Sequence, residues 1–273
     1  TGWSLVLTLL RFKLAALLIR EGADLLAMND NGQTPLHVAA AHLSPSDIDS
    51  LLLLANPEKV DVKDENGCTP LHWAIQQSTS VVGTAVALLC TGANAETGDS
   101  SGDTPMHYAA REGNFRLFKL LVSGGADKEK QNHRGLCPIH VACEIDDDDF
   151  VKEYVEHFEG DLPCTGRSSS TLLHVAARNG SDAVVEMLLE KMGKSAVDAL
   201  DRYGQSPLVV AVANKNFEIA EALETAGAAV PANCKIVLEL LKRGSRLPAF
   251  GSSDDETDTE SDDDMPILEH EPM

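Results

Sequence analysis

The feature that most constrains the fold of this chain is a tetrapeptide that returns at a nearly constant interval. Thr-Pro-Leu-His occupies residues 34–37 and 69–72, and Thr-Pro-Met-His occupies residues 104–107. Weaker copies are found at residues 137–140, 171–174 and 206–209. Successive copies start 35, 35, 33, 34 and 35 residues apart. Such a period is typical of repeat proteins, in which a unit cannot bury its apolar face alone and stacks on its neighbours.

Each unit carries the local signals of two short helices joined by turns. Thr is a good N-cap and Pro is tolerated at the first helical position, so the tetrapeptide predicts a helix start. A second apolar segment follows, for example residues 115–122, and ends at Gly-Ala-Asp (125–127), where Gly tolerates a left-handed C-cap. Asn66-Gly67 and similar pairs then predict a tight hairpin tip. We therefore interpret the unit as helix, turn, helix and hairpin finger.

This pattern resembles the ankyrin-repeat family, whose unit is about 33 residues long and carries the motif T-P-L-H-x-A. The resemblance covers residues 1 to about 230, with Thr1 in the Thr slot of a degenerate first repeat. It implies an all-α solenoid of about seven helix-turn-helix units with short β-hairpin fingers. We expect residues 1–230 to form the array, residues 231–246 to form a helix that caps it, and residues 247–273 to be a disordered acidic tail.

Two repeats depart from the pattern. In the second repeat, four leucines at 51–54 run into Ala-Asn-Pro, so its second helix is expected to end differently. In the fifth repeat, Cys137 fills the Thr slot, and Phe-Glu-Gly at 158–160 stands where Gly-Ala-Asp is expected. Its second helix keeps an apolar stripe that includes Phe150 and Tyr154. We expect the fifth repeat to fold but to be the weakest link inside the stack.

Composition and charge exclude several classes of protein. Hydrophobic residues make up 43% of the chain but aromatic residues only 4%, which suits packed helices and is poor for a β-sandwich. The formal net charge is −21, and it is still −11 without residues 251–273, where 10 of the 43 acidic residues lie. The densest basic stretch, Lys242 to Arg246, fits a helix C-terminus. Direct binding of nucleic acid, which needs a basic face, is therefore not expected.

The cysteines and the N-terminal segment bear on the location of the chain. Its six cysteines form no C-x-x-C pair and are scattered through a chain that needs no disulfides, which predicts reduced thiols in the cytoplasm, with the nucleus as the alternative. Residues 3–19 are rich in Leu, but Arg11 and Lys13 interrupt them, which argues against a membrane span. Because the chain begins with Thr, we expect it to be a fragment or a processed product.

Motifs of catalysis and of cofactor binding are missing from the sequence. It contains no G-x-G-x-x-G, P-loop, H-E-x-x-H or G-x-S-x-G motif, so we predict no enzyme, no cofactor and no metal. Five histidines occupy the last position of the repeated tetrapeptide: His37, His72, His107, His140 and His174. The family resemblance implies structural hydrogen bonds between finger and helix for them. Spaced one repeat apart, they cannot converge on one zinc ion.

Two weaker signals lie in the fifth repeat. Asp146 to Asp149 form the sharpest charge run of the array, at the turn between its two helices. Helix capping explains this run best, and a cation site or docking patch is the alternative. Cys137 and Cys143 fill Thr and Ala slots, so we interpret both as small buried residues rather than as nucleophiles.

The resemblance also implies a concave binding face made of the finger tips and the first helices. The residue after the tetrapeptide points into that face, and here it is Trp73 in the third repeat and Tyr108 in the fourth. Tyr and Trp are frequent anchors of protein interfaces, so we predict a contact patch centred on them. The alternative is that both rings simply pack against the neighbouring finger. The predicted rim consists of Asp64, Glu65, Asn66, Asp99, Ser100, Ser101, Asp103, Gln76, Gln77, Arg111 and Glu112.

The predicted function is that of a scaffold or adaptor that binds another protein. Because the rim is mainly acidic, the partner is expected to present Lys or Arg around an apolar anchor pocket. Two alternatives stay open. One is an inhibitor or regulatory subunit, since an ankyrin array followed by an acidic tail looks like the cytoplasmic inhibitors of Rel-type transcription factors. The other is the targeting array of a larger enzyme or ion channel.

The acidic tail carries hydroxyl side chains in a pattern that suits an acidophilic kinase. Each of these residues has an acid three positions later: Ser252, Ser253, Thr257, Thr259 and Ser261. Each phosphate would add about −1.5 to −2 charges. The tail is interpreted either as a solubilising segment or as an electrostatic arm that binds a basic partner or competes for one.

Overall fold

The computed structural model describes residues 24, 26–48, 60–77, 80–158, 170–192 and 197–242. Every regular element in these ranges is an α-helix, and no strand is found there. The helices are α1 (Pro35–His42), α2 (Pro70–Gln77), α3 (Val81–Cys90), α4 (Pro105–Arg111), α5 (Phe115–Ser123), α6 (Pro138–Glu144), α7 (Asp148–His157), α8 (Leu172–Asn179), α9 (Asp182–Met192), α10 (Pro207–Ala213), α11 (Phe217–Thr225) and α12 (Ala232–Lys242).

The first helix of each repeat begins where the tetrapeptide predicts. Thr34, Thr104 and Thr171 are N-caps with extended backbone, and the histidine three residues later accepts a hydrogen bond from the N-cap backbone N–H. This histidine takes the place that Glu or Gln has in the usual capping box. The capping chemistry therefore fixes the start of these helices within four consecutive residues.

Small residues let the first helices approach one another closely. The Ala of T-P-L-H-x-A is buried in all six described repeats, at residues 39, 74, 109, 142, 176 and 211. These helices stack in chain order, with α1 against α2, α2 against α4, α4 against α6, α6 against α8, and α8 against α10. The stack buries a continuous core, as expected for units that cannot be stable alone.

The second helices form a parallel row, and three of them end at glycines. They also pack in chain order, α3 on α5, α5 on α7, α7 on α9, and α9 on α11. Gly92, Gly125 and Gly227 follow α3, α5 and α11 with φ of +98°, +90° and +96°, the left-handed region that the sequence predicted for them. In the fifth repeat, the stripe predicted on α7 is buried at Phe150 and Tyr154.

Each described finger is a five-residue turn that opens with Asn or Asp. The openings are Asn29, Asp64, Asp99, Asn132 and Asp201. In the second of these fingers, the N–H of Asp64 donates to the carbonyl of Cys68 and the N–H of Gly67 donates to the carbonyl of Asp64, both at 2.9 Å. Asp64 Oδ1 accepts from the N–H groups of Asn66 and Cys68 at 2.9 and 2.8 Å. The side chain thus stabilises its own turn.

One backbone hydrogen bond links each of the first three of these fingers to the next. The N–H of Glu65 donates to the carbonyl of Asn31 at 3.2 Å, and the N–H of Ser100 donates to that of Asn66 at 2.9 Å. A Cβ on Gly67 would lie 2.6 Å from the backbone nitrogen of Ser100, so this close approach requires glycine. Neighbouring fingers share this single backbone hydrogen bond and form no ladder of bonds. In the described ranges, the predicted hairpin fingers are therefore tight turns without strands.

Several sequence predictions fall wholly or partly outside these ranges. Residues 1–23 of the first repeat, the leucine run at 51–54, the Glu-Gly of 159–160 and the tail at 247–273 are not described. Of the segment 231–246 that was predicted to cap the array, α12 is described, and it packs against α10 and α11.

Candidate functional site

The repeated histidines fasten each repeat to the next. In the second repeat, His37 Nδ1 accepts from the backbone N–H of Thr34 at 3.1 Å, so the ring proton lies on Nε2. His37 Nε2–H then donates to the carbonyl of Cys68, 3.0 Å away in the following finger. The same link joins His72 to Asp103, His107 to Leu136, and His174 to Gln205. The structural role that the resemblance implied is confirmed for these four histidines.

This arrangement needs neutral imidazole rings. Burial lowers the pKa of all five slot histidines below its ordinary value, to about 4 for His72 and His140. Hydrogen bonds to backbone carbonyls oppose this shift but do not cancel it. Such rings are neutral at neutral pH and act as structural groups.

The fingers and the first helices that follow them form what we call the contact face, built here from residues 64–77 and 99–112. Two aromatic side chains join finger to helix in this face. Trp73 Nε1–H donates to Asp64 Oδ2 at 3.0 Å, and the Tyr108 hydroxyl donates to Asp99 Oδ2 at 3.0 Å. Each carboxylate therefore stabilises its own turn with one oxygen and holds an aromatic residue nine positions later with the other.

The two aromatic residues differ in how much of their surface is free. Tyr108 is only 7% exposed, and its hydroxyl also lies 3.3 Å from the sulfur of Cys68 in the preceding finger. Its ring meets the ring of His72 edge to face, with centroids 5.0 Å apart. Trp73 is half-buried, and its ring lies 6.2 Å from that of His37. Tyr108 thus packs against the neighbouring finger, as the alternative described, whereas Trp73 keeps part of its surface open.

A partly buried charge cluster lies beside Tyr108. Arg111 donates to Asp103 Oδ2 at 2.5 Å, and Asn132 donates to Asp103 Oδ1 at 2.6 Å. Burial opposes the ionisation of Asp103, but these two donors hold its pKa below the usual value. The Arg111 guanidinium also lies over the Tyr108 ring, 5.2 Å from its centroid. The side chains of Asp103, Arg111 and Asn132 are therefore hydrogen-bonded to one another, and we do not expect them to be the main groups that bind a partner.

The remaining predicted rim residues are mostly open to solvent. Asp64 is buried and Asp99 is half-buried, because both are engaged with their turns. The exposed residues are Glu65, Asn66, Gln76, Gln77, Ser100, Ser101 and Glu112. The structure therefore brings the predicted residues together on one surface, but it divides them into a scaffold that shapes the face and a smaller set that is available for contact.

Several apolar side chains of the array are exposed, and those at the last described finger were missed by sequence reasoning. Val38, in the slot equivalent to Trp73 one repeat earlier, is 43% exposed. Leu200 and Tyr203, at the finger of the last described repeat, are 61% and 67% exposed. Arg202 lies over the Tyr203 ring, 4.5 Å from its centroid. A signal existed for Tyr203, because it stands directly before the turn glycine, where the other fingers carry exposed polar residues.

The acidic run of the fifth repeat supplies the N-cap of a helix. Asp147 is the N-cap of α7 and accepts from the N–H of Phe150 at 3.0 Å, as predicted. Asp146 has a φ of +62° and accepts a hydrogen bond from Ser181 of the next repeat. Burial and three neighbouring carboxylates raise the pKa of Asp148. Within the described ranges, no group of three or more His, Cys, Asp or Glu side chains is placed to hold a metal ion.

The described cysteines are all free thiols. Cys137 and Cys143 are buried, as their slots predicted. Burial raises the pKa of Cys137 to about 11, and it also raises that of Cys143. Neither thiol is therefore activated as a nucleophile at neutral pH.

Comparisons with known proteins agree with this architecture. The family profile described as "Ankyrin repeats (3 copies)" matches residues 10–82, 44–132, 109–198 and 139–234. Together these matches span most of the chain. The chain therefore belongs to the ankyrin-repeat family, and it contains a protein-interaction repeat domain. None of the described helices has the length and apolarity needed to cross a membrane.

Individual relatives match only parts of the chain. The B-cell lymphoma 3 protein homolog of Mus musculus is 32% identical over 120 residues, or 42% of this chain and 26% of that protein. Serine/threonine-protein kinase 12 of Arabidopsis thaliana is 44% identical over 61 residues, or 22% of this chain and 13% of the kinase. Human neurogenic locus notch homolog protein 2 is 32% identical over 100 residues, which cover 37% of this chain and 4% of that protein.

Two solved structures are similar to the array. The ankyrin repeat domain of Bcl-3 superposes with a TM-score of 0.64 at 24% identity, covering 78% of this chain and all of that domain. An ankyrin repeat domain from Acinetobacter baumannii superposes with a TM-score of 0.60 at 26% identity, covering 71% of this chain and 98% of that one. These likenesses establish the fold.

Proposed function

We propose that this chain is a scaffold or adaptor that grips another protein on the contact face. The observation that carries the proposal is the partly open Trp73 ring beside exposed Val38, at the centre of a face whose finger turns are fixed by Asp64 and Asp99. A partly open aromatic ring that is held by its own finger and surrounded by polar residues can serve as an anchor for an apolar pocket of a partner. No catalytic role is proposed for the array.

The chemistry of the rim supports a basic partner. Glu65 is exposed in the finger that precedes the helix of Trp73, and Asp30 is exposed in the finger before that one. In the described ranges up to residue 110, Lys63 is the one Lys or Arg against nine Asp and Glu residues. A partner with an apolar pocket ringed by Lys or Arg meets this surface with favourable electrostatics, which speeds association and disfavours acidic competitors.

Charge reversal at Glu65 and truncation of Trp73 test the proposal. Glu65→Lys changes an exposed finger tip, so it should lower partner affinity without changing thermal stability. Trp73→Ala removes the anchor surface and should weaken binding about 30-fold, which corresponds to about 2 kcal/mol. Affinity capture with quantitative mass spectrometry identifies the partner, and its Kd is then measured for each variant by calorimetry.

A matched control keeps this experiment interpretable. Glu218→Lys makes the same charge reversal on an exposed residue of α11, in the row of second helices. It should retain every partner that the wild-type chain retains. If Glu65→Lys and a folded Trp73→Ala variant bind the captured partner as tightly as Glu218→Lys does, the contact face is not its binding site.

A regulatory subunit is the second candidate function. The structure of the Bcl-3 ankyrin domain is described as that of a unique member of the IkappaB protein family, and the array resembles it. The acidic tail adds five kinase-type sites at residues 252–261. Phosphorylation of the full chain by an acidophilic kinase should then change the Kd for the partner, and a chain with all five sites replaced by Ala should not respond. Equal Kd values before and after phosphorylation of the wild-type chain would exclude tail-based regulation.

The proposed location is the cytoplasm, with the nucleus as the alternative. Free thiols at the described cysteines are compatible with either compartment. The targeting array of a larger enzyme or channel stays a third candidate, because the chain aligns with at most about a quarter of the curated relatives described above.

A further inference from the structure

An apolar groove lies between α3 and α5, in the row of second helices. Its volume is about 560 Å³, and Val86, Leu89 and Leu120 contribute the large side chains of its lining. Most of the other lining residues are small, and the exposed Cys90 is one of them. The groove is a separate feature from the contact face, which is formed by the fingers and the first helices.

The composition of α3 sets this groove apart from the rest of the row. The helix contains no charged residue, whereas the other described second helices each carry at least two. A surface helix normally places charged side chains on its outer side. In α3, Val82, Val86 and Leu89 recur at the spacing of one helix face and are only half-buried. This apolar stripe indicates a surface that another segment covers.

Acidic residues stand at one edge of the groove. Among the residues that line it, Glu96 is the one with a charged side chain. Both carboxylate oxygens of Asp61 accept from the backbone N–H of Asn94, another lining residue, at 3.1 and 3.0 Å. The backbone N–H of Asp127 donates to Glu96 Oε1 at 2.7 Å, which places a third acidic residue beside this edge.

The lysines near this edge are already engaged. Lys130 Nζ donates to Glu96 Oε2 at 2.9 Å and to the carbonyl of Glu96 at 2.8 Å. Lys63 Nζ donates to the carbonyl of Gly98, two residues further along the same loop, at 2.6 Å. In the part of the chain that the structure describes, Asp61 forms no ion pair. Its charge is therefore available to a cation that enters from outside.

Two helix ends add to the negative potential of the groove. α3 ends at Cys90 and α5 ends at Ser123, and both residues line the groove. The C-terminal end of a helix carries a partial negative charge, so two such ends meet here. The cations of α5 do not line the groove, and Lys119 lies over the Phe115 ring, 5.0 Å from its centroid. The groove therefore combines an apolar floor with a negative edge.

We propose that this groove is a second docking site, for a segment of a partner protein in which an apolar side chain is flanked by Lys or Arg. The apolar side chain occupies the floor between Leu89 and Leu120, and the cation faces the carboxylate of Asp61. A volume of about 560 Å³ falls within the range of about 300–1,000 Å³ that is usual for ligand sites. Because the groove is separate from the contact face, the array can hold two proteins at once, as an adaptor does.

Two synthetic peptides test the chemistry of the occupant. Both have Leu-Phe-Leu at the centre, with two Lys on each side in the first and two Glu on each side in the second. The Lys peptide should bind the full chain with a Kd on the order of 100 μM, and the Glu peptide should bind at least about tenfold more weakly. Fluorescence anisotropy of the labelled peptides measures both, at about 150 mM salt so that the net charge of −21 is screened.

A change of size at the groove locates the binding. Ser123→Trp fills the groove at the exposed last residue of α5, and Thr225→Trp makes a matched change at the exposed last residue of α11. Ser123→Trp should weaken the binding of the Lys peptide about tenfold, which corresponds to about 1.4 kcal/mol. Thr225→Trp should leave it unchanged. Circular dichroism during thermal unfolding confirms that each variant is folded.

A change of charge tests the negative edge in the same way. Asp61→Asn removes a charge but keeps an acceptor for the N–H of Asn94, and it should weaken the Lys peptide about threefold. Asp198 accepts the backbone N–H of Ala229 at 2.8 Å in the equivalent link of a later repeat, away from the groove. Asp198→Asn is therefore the matched control, and it should not change the Kd.

The reactivity of Cys90 reports on the groove directly. The four other described cysteines are buried, so a Cys164→Ser background leaves Cys90 as the thiol that a maleimide reaches. A saturating concentration of the Lys peptide should slow the labelling of Cys90 about tenfold, because the bound peptide covers the groove. In the Ser123→Trp variant, the same concentration of peptide should change the labelling rate much less.

Several outcomes would overturn the proposal. One is equal binding of the Lys peptide by the folded Ser123→Trp and Thr225→Trp variants, and another is a Glu peptide that binds as tightly as the Lys peptide. Labelling of Cys90 that slows as the concentration of the chain alone rises would assign the groove to a second copy. Labelling that speeds up when residues 247–273 are removed would assign it to the tail of the same chain.

Discussion

At the scale of single residues, the fold depends on side chains that satisfy two partners at once. His72 accepts from its own N-cap with Nδ1 and donates to the carbonyl of Asp103 with Nε2. Asp99 holds its own turn with Oδ1 and the hydroxyl of Tyr108 with Oδ2. Because a buried polar group without a partner costs about 1–3 kcal/mol, such double contacts set the register of finger and helix.

The neutral histidines predict a loss of stability on acidification. The pKa of His72 and His140 falls from 6.5 to about 4 on folding, so the unfolded chain binds more protons between these values. Their contribution is complete above pH 6.5 and is lost as the pH falls towards 4, on the order of 3 kcal/mol for each ring. Urea unfolding at pH 7, 6 and 5 measures this. Relief of the −21 net charge acts in the opposite direction, so the series is run at high salt, where that repulsion is screened. Stability that does not fall between pH 7 and pH 5 under these conditions would contradict the assignment.

Removal of a single hydroxyl tests the link between finger and helix. Tyr108→Phe deletes the donor to Asp99 Oδ2 in a side chain that is 7% exposed, and it should lower the free energy of unfolding by about 1–2 kcal/mol. Tyr203→Phe, at a ring that is 67% exposed, should change it by less than about 0.5 kcal/mol. Equal effects of the two substitutions in urea unfolding would show that the Tyr108 hydroxyl contributes nothing specific.

At the scale of elements, the fifth repeat is the exception that the sequence indicated. Cys137 replaces the Thr whose hydroxyl lies 2.8–2.9 Å from Nδ1 in four other repeats. His140 Nδ1 accepts from the backbone N–H of Cys137 at 3.3 Å, whereas the corresponding distance is 3.0–3.1 Å at the other slot histidines. The aromatic contacts between α5 and α7, such as that of Phe118 with Tyr154, pack this repeat against the fourth. The expectation of a weak link at this repeat stays a prediction.

The Thr slot can be restored in the fifth repeat. Cys137→Thr supplies the missing hydroxyl to His140 and should raise the free energy of unfolding by about 1 kcal/mol. Cys143→Thr makes the same exchange at a buried position of an Ala slot and should lower it by about 1–3 kcal/mol, since the hydroxyl adds a polar group to the core. Urea unfolding measures both. A destabilised Cys137→Thr variant would show that this repeat tolerates its cysteine without cost.

At the scale of the whole molecule, the sequence specified the stack better than the surface. Helix starts could be predicted because the capping signal lies in four consecutive residues, and stacking followed from the buried Ala of each repeat. The burial of Tyr108 could not be predicted, because it depends on Cys68, 40 residues earlier in the neighbouring finger.

Partner binding on the contact face is tested most directly by amide hydrogen exchange of the chain alone and in complex with its captured partner. Slower exchange is expected for the fingers and helices of residues 64–77 and 99–112. Unchanged exchange is expected for the outer row at residues 182–192 and 217–225. Protection confined to that outer row, with residues 64–77 exchanging as in the free chain, would contradict the proposed site.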